Sequence, residues 1–219
     1  MTLGKQLCQA AEDGDVARVR ELAALGADVN ERRAGDGWGA LHMAAQDGHV
    51  EVAKALIEEL GADKEARDVN GARPIHVATI FGHVALVKAL LALEADKEAQ
   101  AADGYRPLHI AAQGGHLAVV EALVLQGVQL DALTTDAQPV TAHTLSLQCG
   151  HPHVAAALVF SGAAVAAAPA QGACAACGSK PSASAAAFMQ CGRCKAVKYC
   201  GKLCQRNHWP VHKASCAAS

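Results

Sequence analysis

Aromatic side chains are scarce in this chain of 219 residues: Phe, Tyr and Trp supply 3% of the sequence, although 52% of it is hydrophobic. Alanine accounts for much of the apolar content. A core of this composition is built from small side chains, so we expect helices that stack closely against one another. The length allows one or two domains.

Long hydrophobic runs are also lacking. The most apolar stretch, residues 154–170, is dominated by alanine and interrupted by Ser161, Gly162 and Pro169, so it is too short and too weakly hydrophobic to span a bilayer. No charged segment precedes an apolar stretch at the N-terminus, and no secretory signal is predicted. Cysteines in metal-binding spacing without such a signal favour a reducing compartment. We therefore expect a cytoplasmic or nuclear location, or both.

Signatures of catalysis are missing as well. The sequence contains no HExxH, Walker A or G-x-S-x-G motif, which are the patterns of metalloproteases, P-loop enzymes and serine hydrolases. The glycine-rich residues 35–39 (GDGWG) lack a preceding strand and a P-loop lysine, so we interpret them as a turn. We predict that the protein is not an enzyme.

Acidic residues are absent from the C-terminal part of the chain. From Ala166 onward there are seven Lys and Arg and no Asp or Glu, whereas the preceding residues carry 12 Lys and Arg against 21 Asp and Glu, a net charge of −9. The near-neutral total therefore conceals an acidic part and a basic part. The acidic part suggests a partner with a basic patch.

Potential metal ligands are concentrated in the same C-terminal part, which holds seven of the nine cysteines. The short separations C-x2-C, C-x3-C and H-x3-C let two side chains reach one ion. Four such pairs fill two tetrahedral sites and leave no open position for water, which predicts two structural zinc ions. The predicted ligands are Cys174, Cys177, Cys191, Cys194, Cys200, Cys204, His212 and Cys216.

Spacing leaves two ways to group these ligands. In a sequential grouping the first four cysteines bind one ion, and Cys200, Cys204, His212 and Cys216 bind the other. In an interleaved grouping the pair Cys200 and Cys204 joins the first C-x2-C pair instead. A further histidine, His208, is interpreted as a residue on a helix surface beside Trp209. The isolated Cys8 and Cys149 are interpreted as small buried hydrophobic residues.

Self-similarity dominates residues 1–165. The dipeptide Gly-His recurs at Gly48, Gly82, Gly115 and Gly150, with spacings of 34, 33 and 35 residues. Six residues before each glycine stand His42, His76, His109 and then Thr144. A fixed period of this length indicates stacked helical units, in which the glycines suit tight turns between two helices. Pro74, Pro107 and Pro152 suit the first turn of a helix.

Both parts resemble known families. The motifs LHxAA and GHxxxVxxLL resemble ankyrin repeats, and the run YCGKLCQRNHWPVHKASC, together with the two preceding CxxC pairs, closely resembles a MYND-type zinc finger. The ankyrin resemblance implies helix–turn–helix units joined by loops. The MYND resemblance implies the interleaved, cross-braced grouping of zinc ligands. The expected fold is all-α: an ankyrin solenoid of about five units over residues 1–165, the first a cap, a linker over 166–173, and a two-zinc finger over 174–216.

The repeated histidines are interpreted as structural, because one hydrogen bond between successive repeats explains His42, His76 and His109 better than catalysis or metal binding does. Ankyrin units usually carry a threonine as helix cap before the Pro-Leu-His motif. Here that place holds Gly39, Arg73 and Arg106, so the cap is missing or rebuilt.

Two surfaces are predicted to bind protein partners. Aromatic and Arg side chains on loop tips and first helices often supply binding hot spots, and these are Trp38, Arg73, Phe81, Tyr105 and Arg106. Packing between adjacent loops is the alternative explanation for the aromatic residues. The MYND resemblance implies a groove for short proline-containing peptides, formed here by Lys198, Gln205 and Trp209.

The predicted function is that of a monomeric, non-catalytic adaptor or scaffold in which each module holds a different protein. The alternatives are a transcription or chromatin cofactor that recruits a corepressor-like partner through the finger, a nucleic-acid-binding finger, and a fragment of a SET-type methyltransferase. The last requires a cofactor-binding domain outside the given sequence, because residues 1–165 are occupied by repeats. The basic finger favours nucleic acid only weakly, because it lacks a base-reading helix motif.

Overall fold

The computed structural model describes residues 2–159, 161, 189–190 and 198–199. In the first of these ranges, helices follow one another in antiparallel pairs, and each first helix packs on the first helix of the next pair. The helices are α1 Leu3–Glu12, α2 Val16–Ala24, α3 Ala40–Asp47, α4 Val50–Lys54, α5 Pro74–Ile80, α6 Val84–Ala92, α7 Pro107–Gly114, α8 Leu117–Leu125, α9 Ala142–Gln148 and α10 Pro152–Leu158. A 3₁₀ turn, Ala102–Gly104, precedes α7.

The core of the stack follows the sequence period. A fully buried leucine occupies the same place in each second helix, and small alanines line the contacts between first helices, as the composition predicted. Burying one leucine side chain contributes roughly 1.5–3 kcal/mol. The leucines are Leu22, Leu56, Leu90, Leu123 and Leu158, and the alanines include Ala44, Ala45, Ala78, Ala111 and Ala112.

The turns between paired helices depend on glycine. Gly48, Gly82, Gly115 and Gly150 have φ values of 77°, 72°, 71° and 79°, in the left-handed region that a residue with Cβ rarely adopts. Pro74, Pro107 and Pro152 stand at the beginnings of α5, α7 and α10, where the missing N–H is harmless. Both predictions from the sequence are confirmed.

The second helix of the second unit differs from α2, α6 and α8 because α4 continues directly into a π-helical turn, Ala55–Glu59. From His49 to Ala62 there is one residue more than from His83 to Ala95, and the wider π turn accommodates it. Leu56 therefore stays fully buried. The spacing between Gly48 and Gly82 is 34 residues, one more than between Gly82 and Gly115, because the extra residue lies in a helix and not in a loop.

The loop tips form a ladder along one edge of the stack. The backbone N–H of Val69 donates to the carbonyl of Asp36 at 3.0 Å, that of Ala102 to Asn70 at 2.9 Å, and that of Thr135 to Asp103 at 2.7 Å. Each tip is therefore tied to the tip of the preceding unit. This satisfies backbone groups of the loops in a regular way.

Outside the stack, the described residues form one short antiparallel strand pair. Strand β1, Met189–Gln190, pairs with β2, Lys198–Tyr199, in the register Met189 to Tyr199 and Gln190 to Lys198. Among the described residues, no helix is long and apolar enough to cross a membrane.

The π turn generates a first prediction. Deleting Glu58 removes the extra residue, so α4 is expected to continue as a regular α-helix with Leu56 still in the core. The melting temperature should change by a few degrees at most. Deleting Ala92, the exposed residue that stands as far after Gly82 as Glu58 stands after Gly48, should be more destabilising because α6 has no extra residue and the buried Ala95 is pulled out of register.

Thermal unfolding followed by far-UV circular dichroism compares the two deletions directly. Equal destabilisation by both would show that the π turn is not a tolerated insertion.

Candidate protein-interaction surface

The first histidine series lies inside the stack and links each unit to the next. His42, His76 and His109 are at most 1% exposed. The Nε2–H of His76 donates to the carbonyl of Ala99 at 2.9 Å, and His109 donates likewise to Ala132 at 2.9 Å. The structural role predicted for these histidines is confirmed by this geometry.

The same imidazoles rebuild the missing helix caps. The Nδ1 atom accepts from the backbone N–H of the residue before the helix, at 3.3 Å from Gly39, 3.0 Å from Arg73 and 3.2 Å from Arg106. These contacts require the neutral tautomer with its proton on Nε2. Burial is the main cause that lowers the pKa of His76, to about 4, and it also lowers the pKa values of His42 and His109.

A second histidine series forms hydrogen bonds in the opposite direction along the stack. The Nε2–H of His49 donates to the carbonyl of Glu12 at 2.8 Å, that of His83 to Gln46 at 2.7 Å, and that of His116 to Ile80 at 3.0 Å. These bonds run back to the preceding unit. Sequence reasoning used Gly-His only as a marker of the period. The histidine that recurs after every turn glycine could have indicated this hydrogen bond between units.

Arg73 and Arg106 also act between units. The guanidinium of Arg73 pairs with Glu65 and, at 3.0 Å, with Asp96 of the next unit. That of Arg106 pairs at 2.6 Å with Glu98 and bonds to a glutamine one unit further on. The Arg side chains are only 11% and 17% exposed. A partner role for them remains a prediction, whereas the contacts give them a structural role.

The two aromatic residues of the loop tips are half-buried. The Trp38 ring stacks on His42 with centroids 6.0 Å apart and donates through Nε1–H to Asp68 at 3.2 Å. Tyr105 packs obliquely against His109 at 6.0 Å. Both rings therefore cover a buried histidine. These contacts agree with the alternative of packing between loops, and partner binding by the two residues remains a prediction.

Phe81 differs from the other predicted contact residues because it faces solvent together with Ile80. The two side chains are 49% and 50% exposed at the end of α5. The Phe81 ring stacks on His83 at 6.2 Å, and the His83 ring lies directly over Gly48 of the preceding unit. Phenylalanine is enriched in protein–protein interfaces relative to the rest of the surface, which makes this pair a candidate contact.

The positions equivalent to Phe81 form a row along the ends of the first helices, each directly before a turn glycine. We call this the helix-end row, and it comprises Asp13, Asp47, Phe81, Gly114 and Cys149. Asp47 and Cys149 are exposed. The interpretation of Cys149 as a buried residue is therefore wrong, because its position in the repeat faces outward.

Cys8 is half-buried, and burial is the main cause that raises the pKa of its thiol. It lines a cavity of about 260 Å³ with Met43 and charged residues of the first loop. Among the described residues, no group of three or more His, Cys, Asp or Glu is placed to hold a metal ion.

The predicted finger residues lie beyond this surface. All eight predicted zinc ligands, together with Gln205, His208 and Trp209, lie outside the described residues. Lys198 contributes only its backbone to the description, as part of β2.

Comparison with known families accounts for both parts of the chain. Residues 7–101 match a family described as ankyrin repeats in three copies, residues 103–135 match an ankyrin repeat, and residues 174–216 match a MYND finger. The chain is an ankyrin-repeat protein with a MYND zinc finger. Both modules are typical protein-interaction modules, and the finger is a zinc-binding domain. Helices α9 and α10 continue the ankyrin stack beyond the matched residues.

Two curated proteins are similar to this chain within the finger. A segment of 29 residues is 55% identical to N-lysine methyltransferase SMYD2 of Gallus gallus and 52% identical to SMYD2-A of Danio rerio. It covers 13% of this chain and 7% of each relative. The similarity lies within the MYND finger, so it transfers no catalytic domain.

The buried imidazoles generate a second prediction, on acid stability. Because the pKa of His76 is about 4 in the folded state and near 6.5 when unfolded, unfolded chains bind more protons between these values. The stabilising contribution is complete above pH 6.5 and is lost as the pH falls toward 4. The loss amounts to about 3 kcal/mol for this histidine.

Urea unfolding of the intact chain between pH 7.5 and pH 4, followed by the helical signal, measures this loss. The variant His76→Gln should be less stable at pH 7.5 and should lose less stability on acidification. Parallel pH profiles for the two proteins would assign the acid sensitivity to other groups.

Proposed function

We propose that the protein is a non-catalytic adaptor whose ankyrin surface holds one protein and whose MYND finger holds another. The observation that carries the proposal is the exposed pair Ile80 and Phe81. Most other long side chains on the loops are used in contacts between repeats, whereas these two project from a rigid stack of helices. A preorganised apolar patch loses little entropy on binding.

The second interaction site is proposed on the finger. Lys198, Gln205 and Trp209 would form a groove for a short proline-containing peptide beside the final helix. This assignment rests on the family match of residues 174–216. Cysteines in metal-binding spacing favour a reducing compartment, so we propose that the protein acts in the cytoplasm or the nucleus. We also propose that it is a monomer.

Zinc fits the donor set of the finger. Seven cysteines and one histidine are the soft and borderline ligands that Zn²⁺ prefers, and their number equals that of two closed tetrahedral sites. When bound, zinc would fix the fold of the finger rather than activate water. We propose the interleaved grouping, with Cys174, Cys177, Cys200 and Cys204 at one ion and Cys191, Cys194, His212 and Cys216 at the other.

The strand pair supports part of this grouping. Cys191 follows β1 in the sequence and Cys200 follows β2. Antiparallel strands end at opposite edges of the pair. This favours separate ions for the pairs that begin with Cys191 and Cys200, which holds in both the interleaved and the sequential grouping.

Two zinc ions per molecule are therefore expected by elemental analysis of the purified chain. Because the finger has too few apolar residues for an independent core, chelation should unfold it. The ankyrin helices should remain, since their core is built from apolar side chains and, among the described residues, no group of side chains is placed to hold a metal ion. A single zinc ion, or loss of the entire helical signal on chelation, would contradict the proposal.

The adaptor function is tested by quantitative affinity capture from cell extract with three baits. The intact chain, Cys191→Ser and Phe81→Ala should recover different sets of proteins. The cysteine variant should lose the partners of the finger, and the phenylalanine variant should lose those of the repeats. A partner of each class should also co-purify with the other through the intact chain.

Matched baits show whether the losses are specific. Leu125→Ala removes another exposed apolar side chain from the second-helix side of the stack and should retain both sets. If Phe81→Ala and Cys191→Ser each recover everything that the intact chain does, the two-site adaptor is excluded.

A further inference from the structure

We propose that the helix-end row binds an extended basic segment of a partner protein through an apolar side chain beside Phe81, with Lys or Arg three and six residues away. This inference rests on the proposed function, because it names the chemistry of the partner held by the ankyrin surface. The features that carry it are the apolar pair, the glycine on one side of it and the acids on the other.

The helix-end row provides no side chain next to Phe81 on the C-terminal side of the stack. The next residue of the row after Phe81 is Gly114, and a Cβ there would lie 2.6 Å from the His116 ring. That ring must keep its place because its Nε2–H donates to the carbonyl of Ile80 at 3.0 Å. The glycine is therefore required by the stack, and no side chain at this exposed position covers Phe81.

Charge is distributed unevenly along the row. Asp47 stands one repeat before Phe81 and Asp13 stands two repeats before it, whereas Gly114 and Cys149 on the other side are uncharged. Within the described residues, the Asp47 carboxylate forms no ion pair, and Asp13 accepts only one hydrogen bond, from Gln9 at 3.1 Å. Two exposed carboxylates without cationic partners favour a cationic ligand at this end.

Cations of the first repeat leave these carboxylates available. Arg18, which lines the same cleft as Asp13, is paired with Glu21 at 2.7 Å, and Arg20 is paired with Glu59. Arg33 is paired with Asp36 in the following loop. Lys5 lies eight residues before Asp13 on α1, roughly 12 Å away at the rise of an α-helix. The row is therefore acidic toward the N-terminal end of the stack, apolar in the middle and neutral beyond.

The geometry of the stack sets the spacing in the ligand. Packed helices lie about 8–10 Å apart, and an extended chain advances about 3.3 Å per residue. Successive positions of the row are thus matched by every third residue of an extended segment. An apolar side chain at Phe81 places the third residue at Asp47 and the sixth at Asp13.

Fluorescence anisotropy with labelled peptides tests this pattern on the intact zinc-loaded chain. The probes are Phe-Ser-Ser-Lys-Ser-Ser-Lys and its reverse sequence, since the chain direction of the ligand is open. One of them should bind, and affinity should fall as salt rises. Replacing Phe by Ala, replacing both Lys by Glu, or moving both Lys next to Phe should each weaken binding at least tenfold.

Variants of the protein locate the site. Phe81→Ala should weaken the better peptide about tenfold or more, and Asp47→Asn should weaken it about threefold and reduce the salt dependence. The matched controls Leu125→Ala and Glu121→Gln change an exposed leucine and an exposed acid of α8 and should leave the affinity unchanged. Melting curves should be the same for all four variants.

Several outcomes would overturn the inference. These are no binding of either peptide at millimolar concentration, equal affinity for the intact chain and Phe81→Ala, or insensitivity to the spacing of Lys. Self-association that Phe81→Ala abolishes would assign the row to a second copy. A zero-length cross-link from Asp47 to a lysine after residue 166 in the monomer would assign it to the basic segment of this chain.

Failure of this inference can be distinguished from failure of the adaptor function. If captured partners depend on Phe81 but no basic peptide binds, the surface is an interaction site for a different chemistry. If captured partners are independent of Phe81, the adaptor surface itself is misplaced.

Discussion

The stack depends on one buried group, the neutral imidazole that joins each internal repeat to the next. His76 donates through Nε2–H to Ala99 and accepts through Nδ1 from Arg73, and it is fully buried. One ring thus caps a helix within its own repeat and satisfies a carbonyl of the following repeat. Because a solenoid is stabilised only by contacts between neighbours, losing this ring weakens both the repeat and the interface.

The position of the imidazole also determines which side chains remain for binding. Arg73 and Arg106 flank the caps and are held between acids of two repeats, while Trp38 and Tyr105 cover the rings. The long polar and aromatic residues of the loops are consequently occupied in holding the stack together. The side chains at the ends of the first helices are not used in these loop contacts, and Ile80 and Phe81 are exposed there.

Most of the fold could be predicted from the sequence because each feature recurs at a fixed period. The turn glycines, the prolines at helix starts and the buried histidines were all predicted at their positions, since a repeat constrains every copy in the same way. The π turn could not be predicted, because one extra residue between Gly48 and Gly82 does not show whether a helix or a loop contains it. The family match confirms the MYND finger, while the grouping of its ligands depends on tertiary structure.

The candidate site was harder to predict than the fold. Arg73 and Arg106 were predicted to bind a partner because arginine at a loop tip is a frequent binding hot spot. The repeated spacing of glutamate and arginine was more informative, because Glu65 and Glu98 each precede one of these arginines by eight residues. An acid that recurs with its arginine indicates an ion pair of the repeat. Exposure of Cys149 could likewise have been inferred from its equivalence to Asp47.

The N-terminal interface lacks the imidazole, which has consequences for stability and binding. Cys8 occupies the place of the histidine and cannot form the same pair of bonds. The second-series bond from His49 to Glu12 is present here, and two side-chain contacts also join this repeat to its neighbour. Glu31 reaches Thr2 at 2.7 Å across the buried Gly4, and Arg20 forms a bidentate pair with Glu59 at 2.7 and 2.6 Å.

These surface contacts stabilise the interface less than the hydrogen bonds of a buried imidazole do, because exposed ion pairs contribute little and are screened by salt. Since Glu59 belongs to the π turn, the inserted residue of the second repeat also positions this link. The first repeat should accordingly be the first to separate from the stack. A ligand held in part by Asp13 binds only the joined form, so its binding free energy would stabilise the weakest interface of the protein.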